Sequence, residues 1–179
     1  MKEILAAVDG SQTSWKALKL AAQLARNTGA RLIVATVVSG GPLTPVELEA
    51  SDADQGLHPA VVELAFATAQ GEGYSPILEA PMATSASDSV RLAAARRLMT
   101  AAVFEARQAG SATVETIIES GDPAGRIMAI VKSRAPDLVV VGSRGLGARA
   151  ERLLGGVSEV VVTRAPCPVL VVKPTEGED

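Results

Sequence analysis

Apolar positions fall along this chain in two registers. Short, almost uninterrupted apolar runs occur at residues 4–8, 32–38, 138–141 and 169–172. Runs of this length without polar alternation predict strands covered on both faces. Residues 112–119 mix apolar and polar positions around Val114, Ile117 and Ile118, and predict one more strand. Between the runs the spacing is helical. Ser11 precedes a segment from about Gln12 to Thr28, with Lys16, Lys19, Gln23 and Arg26 at helical spacing and Gly29 at its end. Trp15 shares its spacing with Leu18 and Ala22 and is expected in the core. Residues 90–109 predict a helix closed by Gly110. Gly121-Asp122-Pro123 opens another, with Asp122 as cap and Pro123 at the first helical position, ending before Pro136. Residues 156–163 predict the last helix.

The order is β-α-β-(insert)-α-β-α-β-α-β. Alternating units of this kind predict an α/β fold, a parallel sheet with helices on both faces. The insert, about residues 39–88, departs from the pattern. It is rich in Gly, Pro, Ala and Ser with scattered acids, and is long for a loop within a compact domain. Two stretches in it have helical character: 45–49, with Thr44 as cap, and 60–70. The expected organisation is one domain over residues 1–174 and a disordered acidic tail at 175–179.

Composition narrows the class. Of 179 residues, 47 % are hydrophobic but only 2 % aromatic, so the core must be built from Val, Ile, Leu and Ala. A net charge of −3 gives no electrostatic case for a nucleic-acid partner. No apolar run approaches the roughly 20 residues that span a bilayer, and an acid stands too early in the N-terminal run for a signal peptide. A single cysteine, Cys167, excludes an intramolecular disulfide. Together these predict a cytoplasmic protein with no membrane contact.

The candidate chemistry lies near the C-terminus. The run at 138–141 leads into Gly142-Ser143-Arg144-Gly145, and nine residues later Gly155-Gly156-Val157-Ser158 opens a helix. Glycine permits φ > 0 and close approach of a ligand to the backbone. A helix N-terminus leaves N–H groups unpaired and carries partial positive charge. The combination predicts a phosphate seat. Asp9, Val37 and the Gly142 loop all fall at strand C-termini, where α/β sheets bind ligands.

Four segments carry a family resemblance. They are Ile4-Leu5-Ala6-Ala7-Val8-Asp9-Gly10-Ser11; Gly121-Asp122-Pro123; Asp137 through Gly145; and Gly155-Gly156-Val157-Ser158-Glu159 with Ala165-Pro166-Cys167-Pro168 and the run after it. In order and spacing they resemble the ATP-binding branch of the universal stress protein family, over about residues 1–38 and 89–174. The resemblance implies a five-stranded Rossmann-like sheet, of the adenine nucleotide alpha hydrolase-like kind, in the order 3-2-1-4-5. It also implies a nucleotide motif, G-x2-G-x9-G-[S/T], in which Gly142, Gly145 and Gly155 match. Gly156 replaces the usual Ser or Thr, which removes a hydroxyl worth about 1 kcal/mol but keeps the backbone N–H. Val157 and Ser158 follow in the phosphate seat, with Ser158 expected to donate. By the same resemblance Asp9 accepts from the ribose hydroxyls, the Val37 backbone faces the adenine edge, and the chain forms a homodimer through Val169–Val172. The implied ligand is ATP, with Mg²⁺ carried on its own phosphates; AMP and cyclic nucleotides share the adenosine contacts.

Blander roles stand beside these. Asp9 also suits a cap for the first helix, and Arg144 and Arg149 suit either phosphate contact or solvent. Arg91, Arg96 and Arg97 read as a solvated helix face, His58 as exposed, Cys167 as buried rather than reactive. No catalytic constellation, metal-ligand cluster or P-loop lysine is visible. Hydrolysis, if any, is expected to be slow. The expected function is a nucleotide-tuned dimeric stress-response regulator. The alternatives are an interaction module of the same fold that binds no nucleotide, and a slow ATPase. A bulky residue at Gly142 or Gly155 is expected to abolish binding and leave the fold intact.

Overall fold

The computed structural model describes residues 1–39, 86–144 and 154–174. They form β1 (Glu3–Ala7), α1 (Gln12–Thr28), β2 (Arg31–Val38), α2 (Ala86–Gln108), β3 (Val114–Ser120), α3 (Pro123–Arg134), β4 (Leu138–Gly142), α4 (Gly156–Arg164) and β5 (Val169–Val172). The five strands make one parallel sheet in the order β3-β2-β1-β4-β5, as expected. The expected helices at 45–49 and 60–70, with His58, Gly145, Arg149 and the tail at 175–179, lie outside the described residues.

The parity of the strand residues builds the two layers. Ile4, Ala6, Leu32, Val34, Leu138 and Val140 face α1 and α2, where they pack with Leu18, Ala21, Ala22, Ala25, Met99, Ala102 and Ala106. Their odd-numbered neighbours Leu5, Ile33, Ala35, Val139 and Val141 face the other way, onto Ile127, Ile130, Val131 and Val161 of α3 and α4. Each fully buried Leu, Ile or Val contributes roughly 1.5–3 kcal/mol. The alanine stripes of α1 and α2 let both helices lie close to the sheet, which is how a core almost without aromatics fills its volume.

Local signals set the helix ends. Ser11 caps α1 by accepting from Ser14 N, and Gly29 ends it in the left-handed region at φ 68°. Asp122 caps α3 by accepting from Gly125 N at 2.7 Å. Two boundaries differ from the sequence pattern by two residues or more. α2 begins at Ala86, inside the expected insert; the pattern did not show this start because Ala86-Ser87-Asp88 offers no apolar period to read. β3 begins at Val114, two residues late, although Thr113 O still accepts from Leu32 N.

Arg91 corrects the expected solvated face. It is only 5 % exposed, and its spacing to Ala95, Met99, Ala102 and Ala106 puts it on the buried stripe of α2. An arginine stem can cover apolar surface while its head finds partners. Arg96 is exposed as expected, whereas Arg97 is half-buried. Cys167 is half-buried rather than buried, and burial pushes its thiol above the ordinary value, which disfavours the reactive thiolate. Trp15 is half-buried against the core.

Charged groups gather at the N-terminal end of the sheet, away from the strand C-termini. Arg134 reaches Glu115 at 2.5 Å and Glu3 at 3.6 Å, and Arg31 reaches Glu115 at 3.3 Å and Glu3 at 3.8 Å. The hydrogen bond to Glu115 raises the Arg134 guanidinium above its ordinary value, so it stays charged at any working pH. Asp137, exposed, accepts from the backbone N–H groups of Lys2 and Glu3, which hold its carboxyl below the usual range.

Candidate functional site

Strand order reverses between β1 and β4, the central pair, and ligands of such sheets bind beyond the strand ends at that point. The described candidate residues meet there. Val8 and Asp9 follow the end of β1, and Gly10, at φ 88°, turns the chain into α1. Asp9 is exposed. Its Oδ1 accepts from Ser11 N at 3.0 Å and from Ser11 Oγ at 2.7 Å, so it steadies the turn ahead of α1 while Ser11 itself is the cap.

Val37 stands two residues beyond Ala35, the last residue of β2 in register with β1. Ala35 O takes the Val8 N–H at 2.9 Å. The period of two therefore aims Val37 backbone groups to the same side, past the end of β1. Val38 O points the other way and accepts from Gly121 N.

The Gly142 segment is held from several sides. Ser143 N donates to Val172 O, and Ser143 O accepts from Gly155 N, both at 2.7 Å. The start of the loop is thus tied to the cap of α4. Ser158 Oγ donates to Gly142 O at 2.6 Å. That bond departs from the expectation that Ser158 donates to phosphate. Ser158 is 6 % exposed, and its hydroxyl hydrogen is committed to the end of β4. Ser143 Oγ is buried without a hydrogen-bond partner.

Gly142 also has a role other than the one read from the motif. Its φ is not positive. A Cβ there would lie 2.7 Å from Thr13 Oγ1, 2.8 Å from Thr13 C and 2.9 Å from Ser14 N. The glycine is required because α1 packs its first turn on the end of β4. The expectation that a bulky residue at 142 spares the fold is therefore corrected.

α4 begins at Gly156 after Gly155, which has no side chain to cap it. The first intrahelical bond is Glu159 N to Gly155 O at 2.9 Å. The N–H groups of Gly156, Val157 and Ser158 have no acceptor within the helix, and the positive end of its dipole faces the same region. Gly156 is exposed, and nothing lies within 4 Å of a Cβ built on it. Glu159, also in the first turn, is exposed and negative. Among the described residues no group of three or more His, Cys, Asp or Glu could hold a metal ion, and no helix is long and apolar enough to cross a membrane.

Motif reading missed the hydroxyl cluster at the start of α1. Ser11 Oγ and Thr13 Oγ1 both reach Arg144 O, at 3.3 and 2.5 Å, and Ser14 Oγ donates to Ser11 O at 2.8 Å. Its only trace in the sequence is the crowding of Ser11, Thr13 and Ser14 just after a strand-end acid.

Comparison with known proteins gives a consistent picture. The family model described as the universal stress protein family matches residues 1–173. The universal stress protein YxiE of Bacillus subtilis is 44 % identical over 59 residues, 33 % of this chain and 40 % of that protein, so the match spans less than half of the relative. The putative universal stress protein SH1215 of Staphylococcus haemolyticus is 27 % identical over 98 % of this chain and 86 % of its own length. Universal stress protein UspA from Lactobacillus plantarum has a similar fold, with a TM-score of 0.63 at 24 % identity, covering 96 % of this chain and 97 % of that one. An Arabidopsis thaliana family protein solved with AMP bound superposes with a TM-score of 0.59 at 21 % identity, over 99 % of this chain and 95 % of that one. A universal stress protein in complex with cAMP gives 0.54 at 22 %, over 96 % and 95 %.

Proposed function

This chain belongs to the universal stress protein family, and from that premise we propose that it binds an adenine nucleotide at the β1–β4 crevice and acts as a nucleotide-tuned regulator. The observation that carries the reading is the uncapped N-terminus of α4, tied by Gly155 N to Ser143 O across the switch point from Asp9. The complexes of similar folds with AMP and cAMP support it.

In this reading the backbone N–H groups of Gly156, Val157 and Ser158 take the phosphates, with Arg144 and Gly145 on the loop before them and Gly142 and Gly155 fixing its ends. Asp9 keeps acceptor capacity beyond its bonds to Ser11, since a carboxylate has about four lone-pair sites, and receives the ribose hydroxyls. The Val37 backbone meets the adenine edge. The favoured ligand is ATP, with Mg²⁺ riding on the triphosphate oxygens. The protein works in the cytoplasm as a homodimer paired along β5. That strand is an edge of the sheet, its four residues are each half-buried, and Val162 on α4 is 42 % exposed. Pairing would cover such an edge. Nucleotide would act by favouring one arrangement of the loop.

Gly156 favours a second reading, an interaction module of this fold without a nucleotide. Calorimetric titration of nucleotide-stripped protein with ATP and Mg²⁺, and with AMP, separates the two. Micromolar binding is expected, and the ATP/AMP ratio gives the phosphate contribution. No heat and no thermal shift with either ligand would overturn the nucleotide reading in favour of the module.

A further inference from the structure

Three successive carbonyls at the end of β4 are each held by a different donor. Gly142 O accepts from Ser158 Oγ, Ser143 O from Gly155 N, and Arg144 O from Thr13 Oγ1. The first two donors belong to the start of α4. The third belongs to α1, on the opposite wall of the crevice. Thr13 is 6 % exposed, and its hydroxyl lies within 3.3 Å of Ser11 Oγ, whose own short bond goes to Asp9 Oδ1 at 2.7 Å. A continuous line of polar contacts thus runs from the Asp9 carboxylate through Ser11 and Thr13 to the Arg144 carbonyl.

We propose that Thr13 is a positioning residue of the nucleotide site. Its hydroxyl fixes the Arg144 peptide, and with it the loop expected to face phosphate, against the turn that carries Asp9. This rests on the nucleotide reading above. Thr13 touches no ligand in this account. It acts by holding the backbone of Gly142-Ser143-Arg144 in one orientation before nucleotide arrives, so that less binding energy is spent on orienting these peptides. Ser11 has one hydroxyl hydrogen, and the shorter bond to Asp9 claims it, so Thr13 is the principal donor to Arg144 O. The methyl of Thr13 does not serve this role, so serine should replace threonine and valine should not.

The test compares wild type with Thr13→Val, which keeps shape and loses the hydroxyl, and Thr13→Ser, which keeps the hydroxyl. Thr13→Ala gives the same readout should valine not fold. ATP and adenosine are titrated into each, and amide exchange at Ser143 and Gly155 is followed without nucleotide. Loss of the hydroxyl should weaken ATP about tenfold and leave adenosine within about twofold, with faster exchange at both amides. Thr13→Ser should restore wild-type values. Equal weakening of ATP and adenosine, failure of serine to rescue, or unchanged affinity with unchanged exchange would each overturn the proposal. If wild type binds neither ligand, the nucleotide reading fails. The positioning role then fails with it unless exchange alone quickens in Thr13→Val and recovers in Thr13→Ser, which would keep Thr13 as the residue that holds the Gly142-Ser143-Arg144 backbone in place.

Discussion

Gly142→Ala adds one methyl at the place where α1 meets β4. That methyl would stand 2.7–2.9 Å from Thr13 Oγ1, Thr13 C and Ser14 N. Carbon contacts are comfortable at about 3.5–4.0 Å, so the first turn of α1 must retreat by somewhat under ~1 Å. Two of the three atoms are backbone and cannot rotate away. The turn is also pinned by the Ser11 cap, by Ser11 to Asp9 and by Thr13 to Arg144 O. Overpacking of this kind costs about 1–3 kcal/mol, a sizeable share of the roughly 5–15 kcal/mol that holds a domain folded. For a chain of this length each kcal/mol lowers Tm by about 2–4 °C, so the expected loss is about 2–12 °C. Urea titration followed by circular dichroism should show a lower midpoint at unchanged slope. ATP affinity should fall as well, but the stability loss must appear in the absence of nucleotide. An unaltered midpoint would refute the packing account and return Gly142 to a purely ligand-facing role.

Two further outcomes follow from the same geometry. Gly156→Ser enters open space, so the unfolding midpoint should hold or rise slightly, glycine being the poorer helix former. If the restored hydroxyl reaches phosphate, calorimetry should show ATP affinity rising up to about fivefold, the equivalent of ~1 kcal/mol; no gain would show that position 156 does not face the phosphates. Asp137 governs part of the acid response. Its folded carboxyl lies below its unfolded value, because Lys2 N and then Glu3 N stabilise the anion. Its contribution is therefore complete above the unfolded value of about 3.9 and is lost as pH falls through the lower folded one. Unfolding midpoints measured from pH 6 down to pH 2 should fall less steeply for Asp137→Asn than for wild type; identical slopes would remove Asp137 from the acid response.

The sequence by itself determined whatever is local. Uninterrupted Val, Ile, Leu and Ala runs demanded burial on both faces, and hence a parallel sheet between helix layers. Ser11 and Gly29 bounded α1, and Asp122 with Pro123 opened α3, because caps act within three or four residues of themselves. The glycine spacing marked the end of β4 as the place to look. Tertiary structure alone decided what those residues do there. Thr13 and Arg144, Ser158 and Gly142, and Gly142 and the first turn of α1 are brought together only when the chain has folded. Arg91 lay on a stripe that the sequence displayed, but its charge argued for solvent. Packing overrode that preference by covering the long stem. A glycine chosen for a ligand and a glycine chosen for a neighbouring helix have the same one-letter code. The difference lies in which atoms occupy the space a side chain would need, and only the assembled layers define that space.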